Sequence, residues 1–426
     1  MPESVPPATN ARPPLMPLDE AVASLLAKAA PVLDTESVLT FEADGRVLAQ
    51  DVVSALTVPP RDNSSMDGYA VRVADCVGAE AVLQVTQRIP AGTVGSALSA
   101  GTAARIFTGA QIPEGADAVV MQEDTAALPA DGGQGGLGGL GSVRIMVAPT
   151  TGQWIRRAGE DVAAGDVVLA RGERLTPAAL GLAASVGFDR LTVARRPRVA
   201  LLSTGDELVM PGEVAPEAMK PGSIYNSNRF FMRALLHRLG CEVNDLGIVP
   251  DRRDATIDAL RTAAASNDLI ITTGGVSVGE EDHIKAAIQA LGELQLWSLS
   301  MKPGKPFAYG NIRGTHITGL PGNPVSSFMT FLLLVRPFIL TLQGASRVAV
   351  EPVAMRADFD WPRPDRRREF LRARRNAAGG LDLFANQSSG VLTSAVWGDG
   401  VVDTPAGQPI QKGDTVQFIP FASLIA

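Results

Sequence analysis

The sequence is poor in the residues that most often carry covalent or metal chemistry. Its 426 residues include only two cysteines and three histidines. Cys76 and Cys241 frame no disulfide scaffold, and no CxxC spacing offers a zinc site. His237, His283 and His316 form no HxxxH or HExxH pair, which excludes a histidine metal centre of that kind. The first 17 residues carry six prolines, one basic residue (Arg12) and no apolar core, so no signal peptide is expected. The most apolar stretch, Val325 to Leu342, is interrupted by Arg336-Pro337 and is polar at its start, so no bilayer span is expected either. Basic charge is not in excess: 38 Lys and Arg against 45 Asp and Glu leave a net −7. That balance disfavours a nucleic-acid coat but leaves room for a local basic pocket for an anion. A soluble, cytoplasmic protein follows, with neither nucleic acid nor membrane among its partners.

What is abundant is turn chemistry. The 43 glycines and 30 prolines exceed the usual combined share of roughly 12%. The hydrophobic fraction of 46% and charged fraction of 19% are those of a globular protein, and at ~100–200 residues per domain the length predicts two to four domains. After a Pro-rich start, Val22, Leu25, Leu26 and Ala29 mark one buried face of a helix from Leu18 to about Ala30. From about Arg46 to Ala194 short apolar runs such as AVLQVTQ, AARIFTG, ADAVVMQE, SVRIMVA and DVVLARG alternate with turn residues and predict small β-rich modules. The glycine tract 132–141 between two of them reads as a hairpin tip without a function.

From Pro197 the pattern changes. RVALLST, CEVNDLGIV, DLIITTGG and LQLWSLS read as strands, separated by helical stretches within 226–240, 251–266 and 280–292 and followed by a helix from about Pro324 to Gln343. This alternation predicts a doubly wound, mostly parallel sheet. From about Arg347 the text returns to strands, predicting a small β-barrel or sandwich.

In such a sheet, ligands bind beyond the carboxyl ends of the strands. The loops there are 203–207, 250–251, 272–282, 301–306 and 319–324. Their glycines let a backbone approach a ligand, and N–H groups at helix starts cradle oxyanions. Thr204, Gly205, Gly274, Gly275, Ser277, Pro321, Gly322 and Pro324 are the substrate-binding candidates. Glu207, Asp251 and Asp282 offer hard oxygen ligands for Mg²⁺ at a phosphate site, with Lys302 and Lys305 supplying positive charge. Any one such loop has a structural reading as a turn or cap; several in successive strand-end positions argue for an anion-binding cleft. Gly275-Val-Ser277-Val-Gly279 matches G-x-S-x-G, but only His283 and His316 follow Ser277, which does not make a hydrolase triad. No Walker loop is present, because prolines follow Lys302 and Lys305. The segment Asp62-Asn-Ser-Ser-Met-Asp67-Gly reads equally as a turn or as a functional rim.

DNSSMDGYAVR (62–72), IFTGAQIPEGADAVVMQE (106–123), RRAGEDV (156–162), STGDEL (203–208), TTGGVSVGEED (272–282), MKPGKP (301–306) and GLPGNPVS (319–326) closely resemble the MoeA family, related to the E domain of gephyrin. The resemblance runs from about residue 18 to the end. It implies four domains: 18–45 with 150–195, 46–149, 196–344 as the molybdopterin-binding α/β domain, and 345–426 as a β-barrel. It implies insertion of molybdate into adenylylated molybdopterin with release of AMP, assisted by Mg²⁺, in an elongated homodimer. Molybdopterin adenylyltransferase and cofactor-accepting enzymes would be its protein partners. Glu207, Asp251 and Asp282 match the family's acidic cleft. Asp67, Thr108 and Asp161 match residues that reach the cleft from the partner subunit, and Pro321 and Pro324 the prolines beside it. Lys302, Lys305, Ser326, Arg372 and Ser389 resemble the molybdate-binding set. Ser298 stands where some members have a second lysine, and the glycine tract lies outside the family pattern. Two alternatives are a molybdopterin adenylyltransferase, which lacks the N-terminal half and the β tail, and a non-catalytic scaffold, which would not need an intact acidic cleft.

Overall fold

The structure is a computed structural model that describes residues 15–31, 34–78, 80–129, 140–275 and 283–425. Its central element is a six-stranded sheet in the order Glu242–Val249, Arg198–Thr204, Leu269–Thr273, Thr315–Leu320, Pro306–Ile312, Glu293–Ser298. The first four strands are parallel; the last two complete an antiparallel edge. Alternation along Arg198–Thr204 sends Val199 and Leu201 to one face and Ala200 and Leu202 to the other. Helices Asn228–Arg238 and Pro324–Leu342 cover the first face, and Arg253–Ala264 and His283–Leu291 the second. The sheet is thus doubly wound, as the alternation predicts.

Two elements differ from the sequence reading. The hairpin Pro306–Ile312/Thr315–Leu320 was not anticipated, and it separates the LQLWSLS strand from the parallel core. As a result Met301–Lys302 lies off the row of strand-end loops and pairs with Arg368–Arg375 of the C-terminal sheet. The apolar helix Pro324–Leu342 is long enough to cross a bilayer, yet 83% of its most apolar window is buried within the protein. Within it Phe331–Val335 is a π-helical turn just before Pro337, which has no N–H to continue an α-helical ladder.

The N-terminal half holds two further cores. Leu48, Val52, Val162, Leu169, Leu175, Ala183, Leu191 and Val193 form one, so residues near 50 pack with 162–193 rather than with the chain that follows them. A six-stranded sheet in the order Ala118–Met121, Gly68–Val71, Thr102–Ile106, Val82–Ile89, Ser142–Ile145, Thr125–Leu128 carries the other. Leu128 pairs with Ser142, which brings together the ends of the glycine tract, most of which lies outside the described residues. Helix Leu18–Leu26 buries Leu18, Ala21 and Leu25 in the α/β core rather than in an N-terminal module. At the C-terminus, Val353–Arg356, Thr415–Pro420, Gly400–Thr404, Arg368–Arg375 and Leu381–Leu383 pair in turn, and a bridge from Ala357 to Leu381 closes them into a ring. Gly400–Thr404 is a strand that the sequence reading passed over.

Candidate active site

The ends of Arg198–Thr204 and Leu269–Thr273 meet where the strand order reverses, the place in such a sheet where a crevice opens. A cleft of about 580 Å³ lies there, lined by Thr204, Glu207, Tyr225, Asn226, Asn228, Thr273, Gly274, Gly322, Asn323, Pro324 and Gly390, among others. Its floor is hydroxylic: Ser203 and Thr273 share a buried hydrogen bond of 3.0 Å. Gly274 has φ +88°, and a Cβ on it would lie 2.9 Å from the carbonyl oxygen of Thr204, so this turn tolerates no side chain. The Glu207 carboxylate folds back over Gly205, where a Cβ would lie 2.5 Å from Oε2. Glu207 is exposed and, among the described residues, has no basic side chain paired to it. Two helix starts, at Asn228 and Pro324, point their N-terminal ends into this cleft. Asn228 Nδ2 donates to the Gly322 carbonyl at 2.8 Å and ties the two together.

Asn226, at the start of the 226–240 stretch, is a cleft residue that sequence analysis did not single out. Its Oδ1 accepts from Arg229 N at 3.2 Å, as a cap should, while Nδ2 is buried at the cleft wall without a partner. Of the remaining acids, Asp251 follows the neighbouring strand, its N–H 3.4 Å from Asp206 Oδ1, and is not among the cleft-lining residues. Asp282 and Ser277 lie outside the described residues, and within the described residues no three His, Cys, Asp or Glu side chains gather as a metal-binding group. Gly275 continues the turn after Gly274 at φ +67°. Pro321 is buried, its carbonyl accepting from Ser327 Oγ at 2.5 Å.

The basic and hydroxyl set divides in two. Ser389 joins the cleft: its carbonyl accepts from Val325 N at 2.9 Å and its hydroxyl from Asn323 Nδ2 at 3.1 Å. One residue away, the Ser388 carbonyl accepts from Arg372, whose guanidinium also donates to Ser394 Oγ and the Phe370 carbonyl. Arg372 is 1% exposed, and its guanidinium, bonded only to neutral acceptors, is pushed down to about 10 by burial. Ser326 is buried on the first turn of the helix that Ser389 docks against. The lysines sit elsewhere. Lys302 Nζ lies 3.1 Å from Glu369 Oε1 and 3.4 Å from Asp365 Oδ2. Lys305 is exposed in a separate recess of about 500 Å³ with Asp365, Arg366 and Arg367.

The N-terminal rim is assembled from three segments. Strand Asn63–Ser64 pairs with Ile155–Arg156, Ser64 N donates to Ala110 O at 2.9 Å, and Ser65 N donates to Trp154 O at 2.9 Å. Asp67 Oδ1 accepts from both Thr108 N (2.8 Å) and Thr108 Oγ1 (2.7 Å), and these bonds, the backbone one foremost, hold the carboxyl below its ordinary value. Asp62 accepts from Ala158 N and Arg157 Nη1 and anchors the third segment, which carries the exposed Asp161. Asp67 and Thr108 are therefore in contact, with Asp161 on the same rim. Among the described residues no hydrogen bond or ion pair joins this rim to the strand-end cleft of its own chain.

Residues 16–187 match the MoeA N-terminal region (domain I and II), 200–341 a probable molybdopterin binding domain, and 354–421 the MoeA C-terminal region (domain IV). A molybdopterin molybdenumtransferase of Haemophilus influenzae is 42% identical over 330 residues, covering 78% of each chain. Molybdopterin molybdenumtransferase 2 of Mycobacterium tuberculosis is 41% identical over 314 residues, 71% of this chain and 74% of the relative. The crystal structure of a molybdopterin biosynthesis MoeA protein from Pyrococcus horikoshii OT3 superposes with a TM-score of 0.80 at 29% identity, over 95% of this chain and 99% of that one.

Proposed function

The chain belongs to the MoeA family of molybdopterin molybdenumtransferases, and on that premise we propose how its two rims divide the work of inserting molybdate into adenylylated molybdopterin with release of AMP. The observation that carries the reading is the strand-end cleft, where an uncompensated Glu207 faces two helix N-termini across a hydroxyl-lined floor. Helix starts and glycine turns suit phosphoryl oxygens. A lone hydrated carboxylate suits a hard cation that keeps most of its waters and borrows its other ligands from phosphate. Glu207 would help hold Mg²⁺, which when bound would draw charge from the phosphoanhydride. Asp251, which does not line the cleft, and Asp282, outside the described residues, are the further candidates that the resemblance supplies. The chain's own residues bind and orient: Thr204, Gly205, Gly274, Gly275, Pro321, Gly322 and Pro324 would frame the nucleotide-bearing substrate, and Ser277, outside the described residues, remains a candidate from the sequence alone. Water adds to phosphorus, the P–O–P link breaks, and AMP leaves.

Molybdate would enter as a substrate beside Arg372, Ser326 and Ser389, where a buried guanidinium with no carboxylate bonded to it among the described residues, though Glu369 lies near, favours a dianion. Lys302, paired with Glu369 and Asp365, and Lys305, in its separate recess, would join that set only by rearranging those contacts. The protein needs no thiol of its own, since the dithiolene comes with the substrate, and both cysteines are buried with thiols pushed up to about 11 and about 12 by burial. Asp67, Thr108 and Asp161 complete the site from a second copy in a homodimer. An apolar recess of about 650 Å³ around Leu39, Leu180 and Phe188, with Phe41 98% exposed, supports such an interface. The dimer would work in the cytoplasm, receiving substrate from a molybdopterin adenylyltransferase and passing cofactor to the enzymes that use it.

The test is AMP release from adenylylated molybdopterin with Mg²⁺, with and without molybdate. Release is expected to depend on molybdate, and Arg372→Ala to raise the molybdate concentration for half-maximal turnover while nucleotide binding stays nearly unchanged. Equal loss of both affinities would remove the separate oxyanion subsite. Adenylylation of molybdopterin from ATP without molybdate would favour the adenylyltransferase reading.

A further inference from the structure

We propose that Arg105, which none of the site assignments above includes, is the positioning residue that holds Asp67 and Thr108 in register. Asp67 immediately precedes strand Gly68–Val71, and Thr108 lies two residues beyond Thr102–Ile106. These strands are antiparallel neighbours in which Gly68 pairs with Ile106 and Tyr69 with Arg105. The two catalytic candidates therefore leave adjacent strand ends. Farther out their loops are tied by Gly109 N to Ser64 O at 2.8 Å and Ser64 N to Ala110 O at 2.9 Å, and at the strand ends themselves the side chain that bridges them is Arg105.

Arg105 spans that gap. One guanidinium nitrogen donates to the carbonyl of Gly68, next to Asp67, at 3.1 Å. Another donates to Gln122 Oε1 at 2.7 Å, and Gln122 N in turn donates to the Asp67 carbonyl at 3.0 Å. The same group lies 4.8 Å from the ring centroid of Phe107, the residue before Thr108, and 5.2 Å from that of Tyr69. Arg88 also lies over the Phe107 ring, at 4.5 Å. One planar fork thus ties down the residue after Asp67, the residue before Thr108 and the end of a third strand. A lysine has neither the second arm nor the flat face to do both. Among the described residues Arg105 has no carboxylate bonded to it, so its charge also favours the ionised form of the nearby Asp67.

This inference rests on the reading that Asp67 and Thr108 face the substrate, and the experiment separates the two. Full-length Arg105→Gln, Arg105→Lys and Asp67→Asn are compared for melting temperature, kcat, KM for each substrate and amide exchange over 106–110. Arg105→Gln is expected to melt near the wild type, with faster exchange at 106–110. Its kcat should fall by about ten- to a hundredfold, the scale of a small misplacement of reacting groups, with unchanged KM. Arg105→Lys should recover only part of kcat, and it decides the matter if the glutamine variant does not fold. Full kcat in Arg105→Gln beside an inactive Asp67→Asn overturns the clamp and leaves the rim's role standing. A loss confined to KM also overturns it, since Arg105 would then touch substrate. Full kcat in Asp67→Asn removes the rim's role and the clamp together.

Discussion

Asp67, though exposed, commits one carboxylate oxygen to the N–H and hydroxyl of Thr108, while Glu207 has no basic side chain paired to it among the described residues and faces the strand-end cleft. The two acids belong to differently built regions. The N-terminal rim is three short segments stitched by side-chain and backbone hydrogen bonds, with both carboxylate oxygens of Asp62 and one of Asp67 engaged in the stitching. The strand-end cleft is instead held from beneath by parallel strands and helices and leaves its polar groups available: Glu207 unpaired, Asn226 Nδ2 unsatisfied, two helix starts facing inward. On the proposed function the difference is a division of labour: one region would supply binding potential, the other groups already fixed in geometry. Fixed groups lower the ordering cost at the moment of reaction, whereas free groups carry affinity.

The largest effect should come from breaking both regions at once in different chains. Asp67→Asn and Glu207→Gln are each expected to lose most cofactor formation while folding normally. Refolded together at equal concentration, random pairing of a twofold dimer would leave roughly a quarter of all sites intact. Turnover that stays at the single-variant level, with subunit exchange verified by native mass spectrometry, would place both acids in one chain's site.

A second, smaller effect concerns stability. A Cβ on Gly68 would lie 1.9 Å from the Val120 carbonyl oxygen across the strand pair. Gly68→Ala should therefore destabilise the rim by about 3 kcal/mol, an overpacking cost against backbone. At Gly322 in the cleft a Cβ meets nothing within 4 Å, so Gly322→Ala should leave the melting curve in place and act only on turnover. Equal melting temperatures for the two variants would erase the contrast between a packed rim and an open cleft.

The smallest effect is acid sensitivity. Asp62 is held below the ordinary value of 3.8 by the Ala158 N–H foremost and by Arg157. A carboxyl lowered in the folded state contributes stability above its unfolded pKa and loses it as pH falls through the folded value. Asp62→Asn should thus melt below the wild type at pH 7, and the difference should close as pH drops below 3.8. A difference that persists in acid would mean that the side chain acts through packing and not through its charge.

Much of this was open to reading from the chain alone. The α/β domain announced itself through apolar runs of strand length separated by helix-length amphipathic stretches, and its glycine-rich loops fell where a parallel sheet binds ligands. The hairpin Pro306–Ile312/Thr315–Leu320 escaped because its two-residue turn is Arg313-Gly314, both at positive φ, where Asn-Gly or Asp-Gly would be the usual signal. That omission placed Lys302 and Lys305 in the strand-end row, when the antiparallel edge carries them toward the C-terminal sheet, where Lys302 meets Asp365 and Glu369. Asn226 was not legible as a cleft wall, since its cap bond to Arg229 is decided within one turn and the wall by a loop nearly a hundred residues away.

The sequence by itself determined the main helices, most of the parallel strands and which loops are chemically dense, because side-chain periodicity and turn residues act over a few positions. Only the tertiary structure decided which dense loops meet. Asp67 reaches Thr108 through the pairing of two strands separated by some thirty residues of chain, and the Ser389 loop reaches Asn323 through the docking of a separate β-domain. Those contacts depend on register and on the packing of whole cores, quantities summed over the entire chain, and no local pattern encodes them.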